Sequence, residues 1–305
     1  MNQVAILMTT YNGEKFLREQ LLSIEKQTYS HWHLFVFDDG SSDNTLSILK
    51  DFQERIGLSK VTIQQKNHLG CAKNFLSLVC ETTGDYDFYS YADQDDIWDT
   101  DKLERAIIAL KTLDLTLPAL YCSSSRLINA EGNLIGKSPI CKRPPSFQNA
   151  LVQNIAAGNT MVFNKPARSL LMKIGVIDIS IHDWWTYIVV TACGGSVYYD
   201  ELPSLSYRQH ANNLIGLDTS IKAFLKSMLR TWEGKFRTWN EAHIRYLEDF
   251  SDFTSSQSKM TLAYFKKSRH SGLYQRIRLL QKAGVFRQHP LETAKLYLAC
   301  VFNKV

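Results

Sequence analysis

The chain has 305 residues, 45% of them hydrophobic, a net charge of +5 and six cysteines. This is ample for a packed core in one large domain or two, and no repeat or low-complexity tract argues otherwise. The cysteines, at positions 71, 80, 122, 141, 193 and 300, form no CxxC pair and no zinc-type spacing, which excludes a zinc module and predicts buried or free thiols in a reducing cytoplasm.

Met1 to Gln3 run straight into an apolar stretch with no basic leader, and no segment reaches 18 continuous apolar residues. The expectation is a cytoplasmic chain, neither secreted nor membrane-spanning. Charge is uneven: residues 1–218 hold 19 Lys and Arg against 24 Asp and Glu, whereas 219–305 hold 16 against 6. These two parts are expected to be separate units, the second with a different kind of surface.

Val4 to Met8 is a continuous apolar run of the buried parallel-strand type, followed by Thr9-Thr10-Tyr11-Asn12-Gly13 and a helix marked by Leu17, Leu21 and Ile24. Leu34 to Phe37 repeats the unit, ending in Asp38-Asp39-Gly40-Ser41-Ser42-Asp43 before a helix over 45–56. Val61 to Gln64 reads as a third strand, Asn67-His68-Leu69-Gly70 as a turn, Ala72 to Cys80 as a helix and Tyr86 to Tyr91 as a fourth strand. Strands alternating with helices predict a mostly parallel α/β sheet with right-handed crossovers. The alternation then breaks down. Ala119 to Ser123 and Ala157 to Phe163 read as strands, residues 129–133 as a turn, and Asn164 as the cap of a helix with Pro166 in its first turn. A helix over Trp184 to Cys193 stops at Gly194-Gly195, Ser196 to Asp200 is extended, and from Thr219 onward the pattern is helical.

Tyr91-Ala92-Asp93-Gln94-Asp95-Asp96 puts three carboxylates just where the fourth strand leaves the sheet, the edge at which open α/β sheets place ligands. Such a cluster is costly without a cation, and Mg2+ takes one or two carboxylates with substrate phosphates and water. The alternative is a helix N-terminus, with Asp99 or Thr100 capping the helix that contains Lys102-Leu103. Tyr11 and Asp38-Asp39, at the ends of the first two strands, would converge on the same edge, where a ring can stack on a base and carboxylates can accept from base or ribose. There is no GxGxxG after the first strand and no GxxxxGK[ST], which argues against a dinucleotide oxidoreductase and a P-loop NTPase.

Taken together, Thr9-Thr10-Tyr11-Asn12, Asp38 to Thr45, Asn67 to Gly70 and Ala92 to Asp96 resemble, in order and spacing, the inverting family-two glycosyltransferases of the GT-A fold, over residues 3 to about 216. The resemblance implies a Rossmann-like, mostly parallel sheet flanked by helices, with a C-terminal helical extension. It implies Thr9, Tyr11, Asp39 and Asp93 as donor-nucleotide residues and Asp95 as the ligand of Mg2+ or Mn2+. The family's catalytic base lies in a Glu-Asp pair at a helix start, and Asp183 of His182-Asp183-Trp184-Trp185 fills that position, with His in place of Glu. Tyr207-Arg208-Gln209-His210-Ala211-Asn212-Asn213, with Gly216, resembles the Tyr-Arg-x-His-x-x-Asn segment of bacterial rhamnosyltransferase-like members. That implies transfer of one sugar, from dTDP-L-rhamnose to a lipid-linked saccharide, with Arg208 a phosphate partner and His210 a third metal ligand or diphosphate contact. Core packing or a surface ion pair is the alternative for both.

The rivals are weaker. A sugar-nucleotide pyrophosphorylase lacks its Gly-rich signature loop here, and a scaffold or nucleic-acid binder resting on the basic tail leaves Asp93, Asp95 and Asp183 without a purpose, so no nucleic-acid partner is expected. In the tail, Phe224, Met228, Trp232, Phe236 and Trp239 form a stripe that suits a core or a homo-oligomer contact. Lys266-Lys267-Ser268-Arg269 and Arg276-Ile277-Arg278 are the expected sites of peripheral membrane contact. Leu291 to Phe302, about 18 Å as a helix, is too short to span.

Overall fold

The computed structural model describes residues 2–210, 235–302 and 304. The expected boundary at 218/219, the segment Ala211 to Gly216, and Phe224, Met228 and Trp232 lie outside the described residues. The apolar runs become strands β1 (Val4–Thr10), β2 (Trp32–Asp38), β3 (Val61–Gln65) and β4 (Phe88–Ala92), connected by helices α1 (Leu17–Glu25), α2 (Thr45–Ile56) and α3 (Cys71–Glu81). A two-residue strand β5 (Ile97–Trp98), helix α4 (Lys102–Leu110) and strand β6 (Ala119–Ser123) follow.

Residues 129–133 turn between two short strands not foreseen, β7 (Arg126–Ile128) and β8 (Leu134–Lys137). The strand expected over 157–163 is divided: Gly158–Thr160 is a 3-10 turn, and only Val162–Asn164 (β9) is extended. A short helix α5 (Phe147–Ala150) precedes that turn; α6 (Lys165–Ile174), α7 (His182–Ala192), β10 (Ser196–Asp200) and β11 (Leu205–Arg208) complete the first 210 residues.

Seven strands form the main sheet in the order β10-β6-β9-β4-β1-β2-β3, parallel except for β9, which runs antiparallel between β4 and β6. The other four form a small sheet, β5-β11-β7-β8. Alternating residues of β1 enter opposite layers: Val4, Ile6 and Met8 pack with α1, α2 and α4, while Ala5 and Leu7 pack with α3 and α7.

The tail continues the second of these layers. Helices α8 (Lys235–Asp249), α9 (Ser256–Arg269), α10 (Leu273–Ala283) and α11 (Pro290–Val301) contribute Phe236, Leu247, Phe265, Leu280 and Leu296 to the core that contains Trp184 and Trp185. Phe236 stacks on Trp184 at 6.1 Å and Trp239 meets it edge-on. The described part of the first tail stripe therefore packs inward.

Two of the basic segments expected to meet lipid are partly used inside the protein. Arg269 is buried and donates to the carbonyl of Arg237 and to Glu241, and Arg276 donates to the carbonyls of Ser271, Cys300 and Val301. Arg276 thereby caps the carbonyl end of α11, a task a guanidinium's fork of donors suits, whereas Arg269 ties the end of α9 to the first turn of α8.

Asn164 joins the irregular half to the sheet. Its buried Oδ1 accepts from Ala119 N at 2.9 Å and caps α6 through Ala167 N at 3.1 Å, while Nδ2 donates to the carbonyls of Leu115 and Leu117. Asn164→Ala orphans these groups together, and we expect a loss of about 2–4 kcal/mol, read as a lower urea midpoint with an unchanged m-value.

Candidate functional site

Because β4, β1, β2 and β3 are adjacent and parallel, the segments that follow them line one edge of the sheet in that order: the acidic loop 93–96, Tyr11–Gly13, Asp39–Ser42 and Lys66–Gly70. The antiparallel β9 starts at this same edge, which brings Gly158 and Asn159 there. The convergence expected of Tyr11, Asp39 and the Asp-x-Asp loop is thus a product of strand order. The acidic cluster is not a helix cap: β5 intervenes, and α4 begins at Lys102 with no side-chain cap.

Hydrogen bonds tie the loops together. Gln94, between the two aspartates, clasps the Tyr11 backbone, accepting from N at 2.9 Å and donating to O at 3.1 Å. Its amide sits so near Gly13 that a Cβ there would collide with it. The adjacent Asp38 and Asp39 differ in kind. Asp38 is fully buried and accepts from Thr10 Oγ1 and from Ser41 N and Oγ. Asp39 accepts from Leu69 N at 2.7 Å and Gly70 N at 2.9 Å, fixing the turn that carries His68. Tyr11 is half exposed and meets His68 edge-on at 5.8 Å. Asn12 and His68 hold positive φ values, 46° and 47°, in the left-handed region that Asn and His enter more readily than most residues other than glycine. Thr9 is hydrogen-bonded to the Cys71 thiol, whose pKa is pushed up to about 12 by burial and by Asp93, Asp183 and Asp39.

The acidic loop divides its carboxylates. Asp95 Oδ2 pairs with His210 Nε2 at 2.7 Å, and Phe16 packs 5.0 Å from the imidazole ring. Asp96 is fully buried, accepting from Asn159 Nδ2 at 2.6 Å and Arg208 N at 3.1 Å; burial, then Asp95, raises its pKa to about 8. Asp93 is partly exposed, and burial together with Asp96, Asp95 and Asp183 holds its carboxyl well above the usual range. The Arg208 guanidinium is almost fully buried: it donates to the carbonyls of Asp95 and Ala130 and to Glu19, and packs on the Phe16 ring. It therefore shapes the backbone of Asp95 and ties β11 to the acidic loop.

Asp183 lies in the first turn of α7. Its Oδ2 accepts from Gly158 N at 2.7 Å and its Oδ1 from Trp184 N at 2.6 Å. Burial lifts its pKa to about 6 against the lowering effect of these bonds and of Asn154. His182 stacks on Phe75 at 4.0 Å, meets Tyr91 edge-on, and is kept neutral by burial, its pKa falling to about 3.

Of the residues singled out in the sequence, Thr9, Tyr11, Asp39, Asp93, Asp95, Asp183 and His210 thus meet at one edge. Gln94, Asn159 and Gly158 belong there too and escaped notice. Gln94 was visible as the spacer of Asp-x-Asp, whereas Asn159 and Gly158 carried no local signal. Asp95 and His210 offer one hard oxygen and one imidazole, and among the described residues no third His, Cys, Asp or Glu completes a metal cluster. Two protein ligands suit Mg2+ or Mn2+ if phosphate and water fill the remaining positions, so this donor set is compatible with such an ion.

Residues 5–168 match the family described as "Glycosyl transferase family 2". The chain is 34% identical over 233 residues to the dTDP-rhamnosyl transferase RfbG of Shigella flexneri, covering 72% of this chain and 78% of the relative. It is 37% identical over 105 residues, 34% of this chain and 39% of the relative, to WfgD of Escherichia coli, a UDP-Glc:alpha-D-GlcNAc-diphosphoundecaprenol beta-1,3-glucosyltransferase. Among solved structures, S. aureus TarS with UDP-GlcNAc aligns with a TM-score of 0.56 at 16% identity, covering 92% of this chain and 80% of the other. The mannosyltransferase PcManGT of Pyrobaculum calidifontis, with GDP-Man and Mn2+, aligns at 0.54 and 17% identity, covering 99% and 86%. The structural likenesses speak to the GT-A fold, and with the family match and the similarity to RfbG they identify the chain as a member of glycosyl transferase family 2, an enzyme that uses a nucleotide sugar.

Proposed function

We propose that this enzyme is an inverting transferase that moves one L-rhamnose from dTDP-L-rhamnose to a lipid-linked saccharide in the assembly of a bacterial surface polysaccharide. The observation that carries the inverting reading is Asp183: a carboxylate held by Gly158 N and Trp184 N, with a pKa near 6, beside the carboxylates of the Asp-x-Asp loop. The donor sugar rests on the similarity to RfbG, the acceptor class on the rhamnosyltransferase-like segment around His210. The similarity to WfgD over a third of the chain supports a second reading, a UDP-hexose donor.

In this reading the half-exposed Tyr11 ring and Asp39 receive the base, and Asp93 receives the ribose. Asp95 and His210 would hold Mg2+ or Mn2+, which supplies positive charge for the diphosphate leaving group. Asp183 takes the proton of the acceptor hydroxyl as its oxygen bonds to the anomeric carbon and the bond to the diphosphate oxygen breaks, leaving an inverted centre. General-base assistance of this kind contributes roughly 10²- to 10⁴-fold. Asp183 is mostly ionised at pH 7.5 and close enough to neutrality to be an effective proton acceptor.

Residues 219–305 are proposed as a basic region, packed on the catalytic half, that touches the membrane without crossing it. No described helix is long and apolar enough to span. Leu273 and Tyr274 at the start of α10 and Leu298, Val301 and Phe302 at the end of α11 are exposed, and Arg276 ties these two helix ends together. Lys267 and Arg278 remain exposed nearby in sequence. Binding through such a patch is reversible and weakened by salt. Co-sedimentation with anionic vesicles is expected at low salt and not at high salt; no binding at low salt rejects the membrane role.

Asp183→Asn is expected to keep donor affinity and lower kcat by at least about 10²-fold. In the wild type, kcat/KM falls about tenfold per pH unit below a break near 6, because only the ionised Asp183 accepts the proton. A variant that loses activity only through weaker donor binding refutes the assignment. Asp95→Asn is expected to abolish the gain in Tm that dTDP and Mn2+ give together. A panel of nucleotide sugars, assayed for metal-dependent hydrolysis, separates dTDP-L-rhamnose from UDP-hexoses.

A further inference from the structure

The turn between β7 and β8 is held by Asn129, whose Oδ1 accepts from Glu131 N at 3.1 Å and Asn133 N at 2.8 Å. It lies beside the site: the Arg208 guanidinium donates to the Ala130 carbonyl in this turn and to the Asp95 carbonyl in the acidic loop, each at 3.0 Å. β8 is an edge of the small sheet. Leu127 pairs with Gly136 and Ile128 with Leu134, so Ile135 is the extra residue of a β-bulge, a device that bends a strand and spoils its free edge for a further strand. Leu134 and Ile135 at this bulge are 63% and 57% exposed, and Ile140 is exposed as well. No acidic residue occurs from Gly132 to Pro145, whereas Lys137, Lys142 and Arg143 do. Lys137 and Lys142 are exposed and form no ion pair among the described residues. At the far end, Arg143 N donates to Gln288 Oε1 at 2.8 Å, Gln288 Nε2 donates back to the Arg143 carbonyl at 2.9 Å, and the guanidinium packs on the Phe286 ring. The stretch thus runs from beside the acidic loop to the residues just before α11.

We infer that residues 132–143 are a second membrane contact, in the catalytic half: Leu134 and Ile135 enter the headgroup boundary of an anionic lipid surface while Lys137 and Lys142 meet its phosphates. The inference rests on the reading of a transferase that works at a membrane surface. It deepens that reading by bringing the Asp-x-Asp edge close to the headgroups, where a lipid-linked saccharide presents its hydroxyl. A lipid surface is the occupant that the charges favour. Two copies joined edge to edge about a two-fold axis would face Lys137 and Lys142 with their own counterparts, and like charges across an interface cost affinity. The bulge also interrupts the ladder that such a pairing needs. Anionic headgroups meet the same lysines with opposite charge, and the acyl boundary accepts apolar side chains without a shaped pocket.

The test is co-sedimentation of the full chain with vesicles of phosphatidylcholine and phosphatidylglycerol at low salt. It compares the wild type with Leu134→Thr/Ile135→Thr, Lys137→Gln/Lys142→Gln and the tail variant Leu273→Ser/Tyr274→Ser. Threonine keeps a β-branched side chain in the strand, and all four substituted positions of the segment are exposed, so both of its variants are expected to melt within about 3 °C of the wild type. Each is expected to lower the partition coefficient about tenfold, the first through lost apolar burial and the second through lost charge. An unchanged partition coefficient in either overturns the inference; if the tail variant alone loses binding, the tail keeps its membrane role and residues 132–143 have none. Loss confined to the two variants of the segment supports the inference and removes the tail from the membrane. Absence of wild-type binding rejects the membrane reading and the inference with it. Sedimentation velocity without lipid examines the other occupant: a wild-type dimer that Leu134→Thr/Ile135→Thr converts to monomer assigns the patch to a second copy and overturns the inference. Should the threonine variant not fold, the lysine variant decides by itself.

Discussion

The constraint on which the structure depends is the placing of Asp93, Asp95, Asp96 and Asp183 at one partly buried sheet edge. Like charges in a low-dielectric site repel and resist desolvation, so each must be neutralised, hydrogen-bonded or protonated. The chain uses all three devices. Asp183 receives two backbone N–H groups at a helix start, Asp96 receives Asn159 and the Arg208 backbone, and Asp95 meets His210. The raised pKa values of Asp93 and Asp96 record what is left uncompensated. Much of the irregular half exists to deliver these partners: the antiparallel β9 brings Gly158 and Asn159, and the small sheet brings Arg208 and His210.

The parallel part of this arrangement was legible in sequence because its causes are local. Five consecutive buried positions, as in Val4 to Met8, have no alternative partner face, and the helices after them show a clear apolar stripe at Leu17, Leu21 and Ile24 or Ile48, Leu49 and Phe52. Asn164 with Pro166 marked a helix start for the same reason, since the cap geometry lies within three residues. The short strands were not legible. Ile97-Trp98 and Arg126 to Ile128 are too brief for any periodicity and are strands only through distant pairing, both with β11 and the second also with β8. Within the site, the types of residue were readable and their duties were not. Asp38 and Asp39 are indistinguishable as letters, yet strand alternation sends one carboxylate under the loop and the other to the His68 turn.

The tail shows how a charge count can mislead. Sixteen basic residues against six acidic ones suggested a surface for an anionic partner. Several of the guanidinium groups are directed to backbone carbonyls instead: Arg276 caps the end of α11, where carbonyls lack intrahelical partners, Arg269 reaches the Arg237 carbonyl in the first turn of α8, and Arg287 the Val152 carbonyl just after α5. Those charges serve the packing of α8 to α11 on Trp184 and Trp185, and the fraction that could attract an anionic surface is correspondingly smaller. Trp184 and Trp185 directly follow Asp183 in α7, so the tail buttresses the helix that carries the proposed base.

Position 182 brings these strands of reasoning together. The resemblance to the family places a carboxylate beside the base, and this chain has a buried imidazole, neutral across the physiological range. Asp183 already raises the pKa of Asp93, so a further anion next to Asp183 would act back on it in the same direction. With its pKa near 6, Asp183 has little margin: a further rise of one or two units would leave it protonated at neutral pH. A neutral side chain at 182, packed flat on Phe75 and against the Gly158 turn whose N–H holds Asp183, gives the proposed base its position without adding to the charge that the site must already carry.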